Sequence, residues 1–326
     1  MIHAQSQLSN LIGRLAPSPT GAQHLGNART FLIAWLLVRS QNGHLILRIE
    51  DLDTPRTKAW ANDQAIDDLR WLGIDWDVQA PLQSTRTALY LEALEALKQR
   101  ELVYPCTCSR TQIEACASAP HESYLDGVVY SGPCSKHTAE DARKLDAQGQ
   151  TYAWRFRLDE GIVQWNDDFL GPQQLDAKVS LGDFVVARNY GPPAYQLAVT
   201  VDDHWQQINH VLRGDDLVYS TYRQLAIYKA LGWQPPRWMH VPLVVGPDGR
   251  RLAKRHGDSR LSTWREQGFR SEQILGWIAK SIGLTTDDSP IPSRELLELA
   301  RKSPNWFSRI PKQAWVFDAH ARTKNR

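Results

Sequence analysis

The sequence predicts an α/β fold: a parallel sheet with helical crossovers, a smaller α+β insertion, and a short helical C-terminal region. Three observations carry this. Strand, helix and strand patterns follow one another over residues 11–51. Apolar residues then alternate with a period of two inside residues 104–181, and buried-strand and helix patterns return from Phe184 onward.

The elements read in order as follows. Leu11 to Leu15 is a short buried strand. From His24 to Val38, the residues Leu25, Phe31, Leu32, Trp35 and Leu36 fall close to helical spacing, and Gly43 marks the stop. His44 to Asp51 is a second strand that ends in two acids, Glu50 and Asp51. Strand, helix and strand within about forty residues is a βαβ unit, which demands a parallel pairing. Ligands of such sheets sit at the carboxyl ends of the strands, where the turn Pro17–Gly21 and Glu50–Asp51 both fall. Helices follow over Lys58–Leu72 and Ser84–Arg100. Alternation over Tyr152–Leu158 predicts half-buried antiparallel strands. Phe184–Ala187 and Val241–Val245 read as strands and Asp215–Leu231 as a helix, and the residues after Lys254 read as helical, closing on the basic tail Arg322–Arg326. The domains expected are residues 1–104 with 182–257, an insertion at 105–181, and a C-terminal region at 258–326.

Composition narrows the functional classes. A chain of 326 residues with 42% hydrophobic and 23% charged residues is ordinary for a globular protein, and no stretch is long and apolar enough to span a bilayer. The first ten residues have no apolar core, so no signal peptide is expected. A net charge of +2 does not advertise a nucleic-acid binder, although it leaves room for a local basic face. Of four cysteines, Cys106, Cys108 and Cys134 fall in one region with a CxC spacing, which fits a reducing compartment and a metal site better than disulfides. A cytoplasmic setting is expected.

Two motifs carry the chemistry. Arg14-Leu15-Ala16-Pro17-Ser18-Pro19-Thr20-Gly21 precedes His24-Leu25-Gly26-Asn27 and an apolar helix. The prolines stiffen the turn, Gly21 makes it permissive, and a helix start offers N–H groups to a phosphate. His24 adds a donor there, and Gly26 leaves room above the first turn. Far downstream, the turn Gly246–Gly249 leads into the basic run Arg250-Arg251-Leu252-Ala253-Lys254-Arg255-His256-Gly257. Taken alone, the first motif reads as a proline-rich turn capping an ordinary helix and the second as a solvated surface loop. Together they are far more specific.

The pair resembles the HIGH and KMSKS signatures of class I aminoacyl-tRNA synthetases, at Pro17–Asn27 and Arg251–Arg255. The glutamyl type is matched further by Arg48-Ile49-Glu50-Asp51-Leu52-Asp53, Ala194-Tyr195-Gln196-Leu197-Ala198, Val201-Asp202-Asp203-His204 and Val211-Leu212-Arg213-Gly214-Asp215-Asp216. The resemblance implies a Rossmann-like catalytic domain. About seventy residues follow Lys254, too few for a helical anticodon-binding domain, which points to the glutamyl-Q branch of the family. That branch implies ATP-dependent, tRNA-independent activation of L-glutamate. It also implies transfer to the queuosine at the wobble position of tRNA(Asp), in a monomer with Mg2+ accompanying ATP. The alternatives are a glutamyl-tRNA synthetase without its anticodon-binding domain and a non-catalytic RNA-binding paralogue. Arg251 and Ala253 depart from KMSKS, Asn27 replaces the second histidine of HIGH, and Gln196 stands where an asparagine is expected.

By resemblance, His24 and Lys254 are catalytic, and His24, Gly26, Asn27 and Lys254 hold ATP. Glutamate is assigned to Arg14, Leu15, Ala16, Pro17, Ser18, Glu50, Tyr195 and Arg213. The chemistry agrees: guanidinium forks pair with carboxylates, and a carboxylate suits an ammonium. For one structural zinc, the residues supply Cys106, Cys108 and Cys134, with Cys116, His121, His137 or Tyr130 as the fourth ligand. The resemblance favours Tyr130.

Overall fold

The computed structural model describes all residues except 1–10, 20, 53–58, 117–127, 190, 192, 251, 253–258 and 325–326. The first crossover forms as its periodicity dictates. β1 (Ile12–Leu15) runs parallel to β2 (His44–Leu47), Ile12 opposite His44 and Leu15 opposite Leu47, and α1 (Leu25–Ser40) joins them. α1 is apolar almost all round because it is enclosed; Leu25, Leu32, Ile33 and Leu36 have no exposed surface. α2 (Ala59–Trp71) then leads to β3 (Val78–Gln79), which adds in parallel to β2.

Two local details differ from the sequence reading. The helix stop is made by Asn42, not Gly43: Asn42 takes the left-handed φ of 53°, and the Gly43 N–H returns to the Val38 carbonyl at 2.8 Å. Gly43 is needed for space, since a Cβ there would stand 2.5 Å from the Leu11 carbonyl oxygen. The second strand is shorter than its apolar run, yet pairing continues past its end. The Arg48 N–H donates to the Leu15 carbonyl (2.8 Å) and the Glu50 N–H to the Pro17 carbonyl (3.0 Å), which lays Glu50 beside the proline turn.

The chain divides into two compact units, residues 1–82, 208–215 and 238–326 in one and residues 83–207 and 216–237 in the other. The second unit opens with a 3-10 turn at Gln83–Arg86 and α3 (Thr87–Gln99), β4 (Val103–Cys106), α4 (Arg110–Cys116) and α5 (Ala139–Ala147). β5 (Ala153–Phe156), β6 (Ile162–Asp167), β7 (Gly171–Asp176), α6 (Ala177–Ser180), β8 (Phe184–Arg188) and α7 (Tyr195–Trp205) follow. The antiparallel arrangement expected here is present: β5 lies between β4 and β8, antiparallel to both, and β6 and β7 form a hairpin.

Two buried carboxylates fasten this unit. Asp183 accepts from the Tyr104 hydroxyl (2.7 Å), the Leu158 N–H (2.9 Å) and Lys178 Nζ (2.6 Å). Asp202 on α7 accepts from Gln83 Nε2, Arg86 Nε and the Tyr90 hydroxyl at 2.7–2.9 Å, tying α7 to α3. A buried charge persists only with such partners.

The first unit resumes with β9 (His210–Gly214), adjacent to β1 through the Asn209 N–H on the Ile12 carbonyl (3.1 Å). α8 (Val218–Leu231) belongs to the second unit. β10 (Arg237–Val241) lies beside β9, and β11 (Val244–Val245) follows. The single strand expected over 241–245 is broken at Pro242, which has no N–H for a ladder; its carbonyl instead accepts from Arg29 Nη1 at 2.6 Å.

Helices α9 (Leu261–Glu266), α10 (Ser271–Ser281) and α11 (Ser293–Lys302) come next, then β12 (Trp315–Val316) and α12 (Ala319–Lys324). β12 pairs in parallel with β11, a strand that the helical reading of this region does not contain. Trp264, Phe269, Trp277 and Phe317 pack ring on ring beneath it, with centroids 5.1–6.1 Å apart. In the basic tail, Arg322 is engaged internally, paired with Asp288 at 2.6 Å and lying over the Trp277 ring. Among the described residues, no helix is long and apolar enough to cross a membrane.

Candidate active site

His24 caps α1. Its Nδ1 accepts from the Gly26 N–H (3.1 Å) while the Asn27 side-chain oxygen accepts from the His24 N–H (3.3 Å), a reciprocal pair that closes the helix start. A neutral imidazole that accepts at Nδ1 carries its proton on Nε2, so the ring presents Nε2–H as its donor. The small residue at position 26 admits this ring, since a Cβ there would lie 2.9 Å from His24 Cε1.

The sequence alone predicts that the first N–H groups of this helix point outward. The structure corrects that. The Gly26 N–H is taken by the His24 ring, and the Leu25 N–H donates to the Ser259 carbonyl at 3.0 Å. The Leu261 N–H donates to the Gln23 carbonyl (2.9 Å), and His24 and Arg260 form an antiparallel bridge. The chain just beyond the basic motif is therefore stitched to the first motif. Lys254, Arg251, Ala253 and Arg255 themselves lie outside the described residues.

Asp68 on α2 supports the same turn. It accepts from Gln64 Nε2 (2.8 Å) and the Gln23 N–H, and Arg265, which also pairs with Asp67, stands 3.8 Å away. Burial is the largest influence on its carboxyl, which is pushed up to about 6. A folded-state value above the unfolded one means that the fold takes up a proton between about pH 4 and 6, so stability falls as pH rises through that window. Asp68→Asn, which never ionises, is expected to flatten this slope. Its melting temperature relative to the parent will rise from pH 4.5 to pH 7.5, and a constant offset would refute the assignment.

The strand ends gather the charged groups. Arg14 on β1 and Arg213 on β9 are both buried. Arg14 Nη1 donates to the Leu212 carbonyl (3.0 Å), and Arg213 Nε donates to His240 Nε2 (2.9 Å). Glu50 pairs with Arg48, Nη2 to Oε1 at 3.2 Å, with the Arg48 side chain fully enclosed. The structure thus brings Arg14, Glu50, the Pro17 carbonyl and Arg213 onto three neighbouring strand ends of one unit. Arg48 and His240 are absent from the sequence assignment. Arg48 stands two residues from Glu50, on the same side of an extended segment, a spacing that signals such a pair. His240 gives no local signal.

Tyr195 and Gln196 belong to the second unit, in the first turn of α7. Tyr195 is exposed, whereas Gln196 donates to Ser220 Oγ and accepts from Gln224 Nε2, both at 3.0 Å.

The second unit also holds a thiol cluster. The Cys106, Cys108 and Cys134 sulfurs all lie within 4.8 Å of one another, and none is in a disulfide. The Tyr130 hydroxyl is 3.4 Å from Cys106 Sγ and 3.9 Å from Cys108 Sγ, and Cys108 and Cys134 are 3.6 Å apart. These separations match the edges of a tetrahedron whose centre is about 2.3 Å from each sulfur, edges of about 3.8 Å. Among the other fourth-ligand candidates, His137 Nδ1 is 3.0 Å from the Pro105 carbonyl, and His121 and the Cys116 side chain lie outside the described residues.

Without a cation the cluster ionises unevenly. Burial, the hydrogen bond with Cys134 and the charge on Cys106 push the Cys108 thiol up to about 12. Burial opposes ionisation of Cys134, but the Thr107 N–H and the hydrogen bonds of Tyr130 and the two other thiols bring it down to about 7. Burial and the bond with Cys106 raise the Tyr130 phenol.

A capped helix start is stitched to the chain just beyond the basic motif, and buried arginines lie on the adjoining strands β1 and β9. The chain belongs to the class I tRNA synthetases: the family model for the catalytic domain of "tRNA synthetases class I (E and Q)" matches residues 10–320. It is a ligase with the mixed α/β catalytic fold of that class. More particularly, it is 48% identical to the Glutamyl-Q tRNA(Asp) synthetase of Rhodopirellula baltica, over 95% of this chain and 98% of the relative. It is 46% identical to the protein of the same name from Symbiobacterium thermophilum, over 92% and 96%. A glutamate tRNA ligase from Elizabethkingia meningosepticum, solved in complex with its amino acid, superposes with a TM-score of 0.79 at 26% identity, over 95% of this chain and 68% of that one.

Proposed function

We propose that this enzyme activates L-glutamate with ATP, without tRNA, and transfers it to the queuosine of tRNA(Asp) in the cytoplasm. The observation that carries the acceptor is the identity to the Rhodopirellula baltica and Symbiobacterium thermophilum proteins over nearly the whole of both partners. In the first step an oxygen of the glutamate α-carboxylate attacks the α-phosphorus of ATP, the bond to the β-phosphate oxygen breaks, and pyrophosphate leaves. Arg14 and Arg213 hold the substrate carboxylates and Glu50 its ammonium, with Arg48 holding Glu50 in place. His24 donates from Nε2 to the phosphates and Lys254 neutralises the charge that develops on the leaving group, where Mg2+ bound with ATP would add further positive charge. In the second step a ring hydroxyl of queuosine attacks the glutamyl carbonyl and AMP departs.

The same reading gives the second unit one structural zinc on Cys106, Cys108, Cys134 and Tyr130. The near-tetrahedral spacing supports it, and a divalent cation supplies the charge that lets every thiol ionise.

Activation is tested by exchange of labelled pyrophosphate into ATP. Exchange with glutamate and no tRNA is expected, and Lys254→Ala is expected to lower it by about a hundredfold or more, the scale of one lost transition-state contact. Full exchange in that variant would remove Lys254 from the mechanism. A glutamate–tRNA ligase activity is the second reading, favoured by the superposition on the Elizabethkingia meningosepticum enzyme.

A further inference from the structure

We propose that His240 is a positioning residue for the substrate carboxylate, acting through Arg213 without touching the substrate. The inference rests on the reading of Arg213 as a carboxylate-binding group.

The two residues face each other across neighbouring strands, Arg213 on β9 and His240 on β10, with Arg213 Nε and His240 Nε2 2.9 Å apart. His240 has no exposed surface, and its strand neighbours Met239 and Val241 are buried with it. A guanidinium recognises a carboxylate with a planar fork, and the orientation of that plane decides whether two N–H groups or one reach the anion. The Nε–H sits at the root of the fork. Fixing it on one acceptor fixes the plane.

The chemistry of that acceptor matters. A carboxylate in this place would pair with the guanidinium and compete with an anionic substrate. An imidazole accepts the same hydrogen bond and adds no negative charge. It accepts at Nε2 only when neutral, with its single proton on Nδ1. A protonated ring would turn a donor toward Nε–H and set a second cation beside the first in a buried place. Strand β9 gains a second fixed point one residue earlier, where the Leu212 carbonyl accepts from Arg14 Nη1. Both arginines are thereby oriented from β9 and its neighbours before any substrate arrives, which spares the ordering cost at binding.

The test is pyrophosphate exchange with His240→Leu, His240→Gln and Arg213→Lys, reading KM for glutamate and for ATP separately. His240→Leu removes the acceptor and keeps an apolar side chain in its place. It is expected to raise KM for glutamate about ten- to a hundredfold, the size of one hydrogen bond to a charged group, with KM for ATP unchanged within about twofold. His240→Gln places an amide oxygen near the position of Nε2 and should restore KM for glutamate to within about threefold of the parent. The proposal is overturned if both KM values move together, if only kcat falls, or if the glutamine variant is no better than the leucine variant at equal melting temperature. If His240→Leu does not fold, His240→Asn replaces it: its oxygen is too far back on the side chain, so equal KM values for the asparagine and glutamine variants would overturn the proposal. Arg213→Lys separates the two layers. If it leaves KM for glutamate unchanged, the reading of Arg213 itself fails. If it raises that KM while His240→Leu does not, only the role of His240 fails.

Discussion

Arg48→Met is expected to cost about 3–5 kcal/mol of folding stability, measured by chemical denaturation with an unchanged m value. Arg48 is fully enclosed and bonded to Glu50, whose own side chain is 8% exposed. Removing the guanidinium leaves a carboxylate that has given up its water and lost its counter-charge. The cost is that of removing one partner from a buried ion pair, several times what a surface pair contributes. The double variant Arg48→Met with Glu50→Gln removes both charges and should recover a substantial part of the loss, because the pair is coupled. A single-variant cost below about 1 kcal/mol would show that Glu50 draws its stabilisation from other partners.

Removal of the proposed zinc is expected to have the other large effect. The purified enzyme is expected to hold about one zinc per chain, and a strong chelator or Cys108→Ser should lower the melting temperature by ten degrees or more. In structural sites the binding free energy of the ion is folding free energy, on the order of 10 kcal/mol. The effect falls on β4 and the segment around Cys134, where Cys106, Tyr130 and Cys134 form one buried cluster. Re-addition of zinc should restore the parent transition. A zinc-free preparation with the same melting temperature would mean that the thiols only pack, and Tyr130 would then be a core phenol bonded to the Cys134 N–H.

What was legible in the sequence was what repeats locally. The periods of α1, of β1 and β2, and of the antiparallel strands announced themselves because burial of one face imposes a spacing on neighbouring residues. The motif residues Arg14, His24, Glu50 and Arg213 were legible as residue types, and the fold sets Arg14, Glu50 and Arg213 on adjoining strand ends. Their partners were not. Pairings such as Arg213 with His240, or Leu25 with Ser259, join residues far apart along the chain, and no local pattern encodes them. The same holds for β12, two residues long, which exists because β11 offers an edge and an aromatic cluster lies beneath. Gly43 is the residue the sequence offers as a conformational stop, because glycine tolerates a left-handed backbone. The structure uses Asn42 for that and Gly43 for clearance, a distinction that depends on where Leu11 lies.

The acceptor decides the function, and one measurement reaches it directly. Purified tRNA(Asp) with queuosine, tRNA(Asp) without it, and tRNA(Glu) are each incubated with the enzyme, ATP and labelled glutamate, and the labelled nucleotide is located. Label is expected on queuosine-containing tRNA(Asp) alone, at the modified base. Label on the terminal adenosine of tRNA(Glu) would contradict it and make the chain a glutamyl-tRNA synthetase.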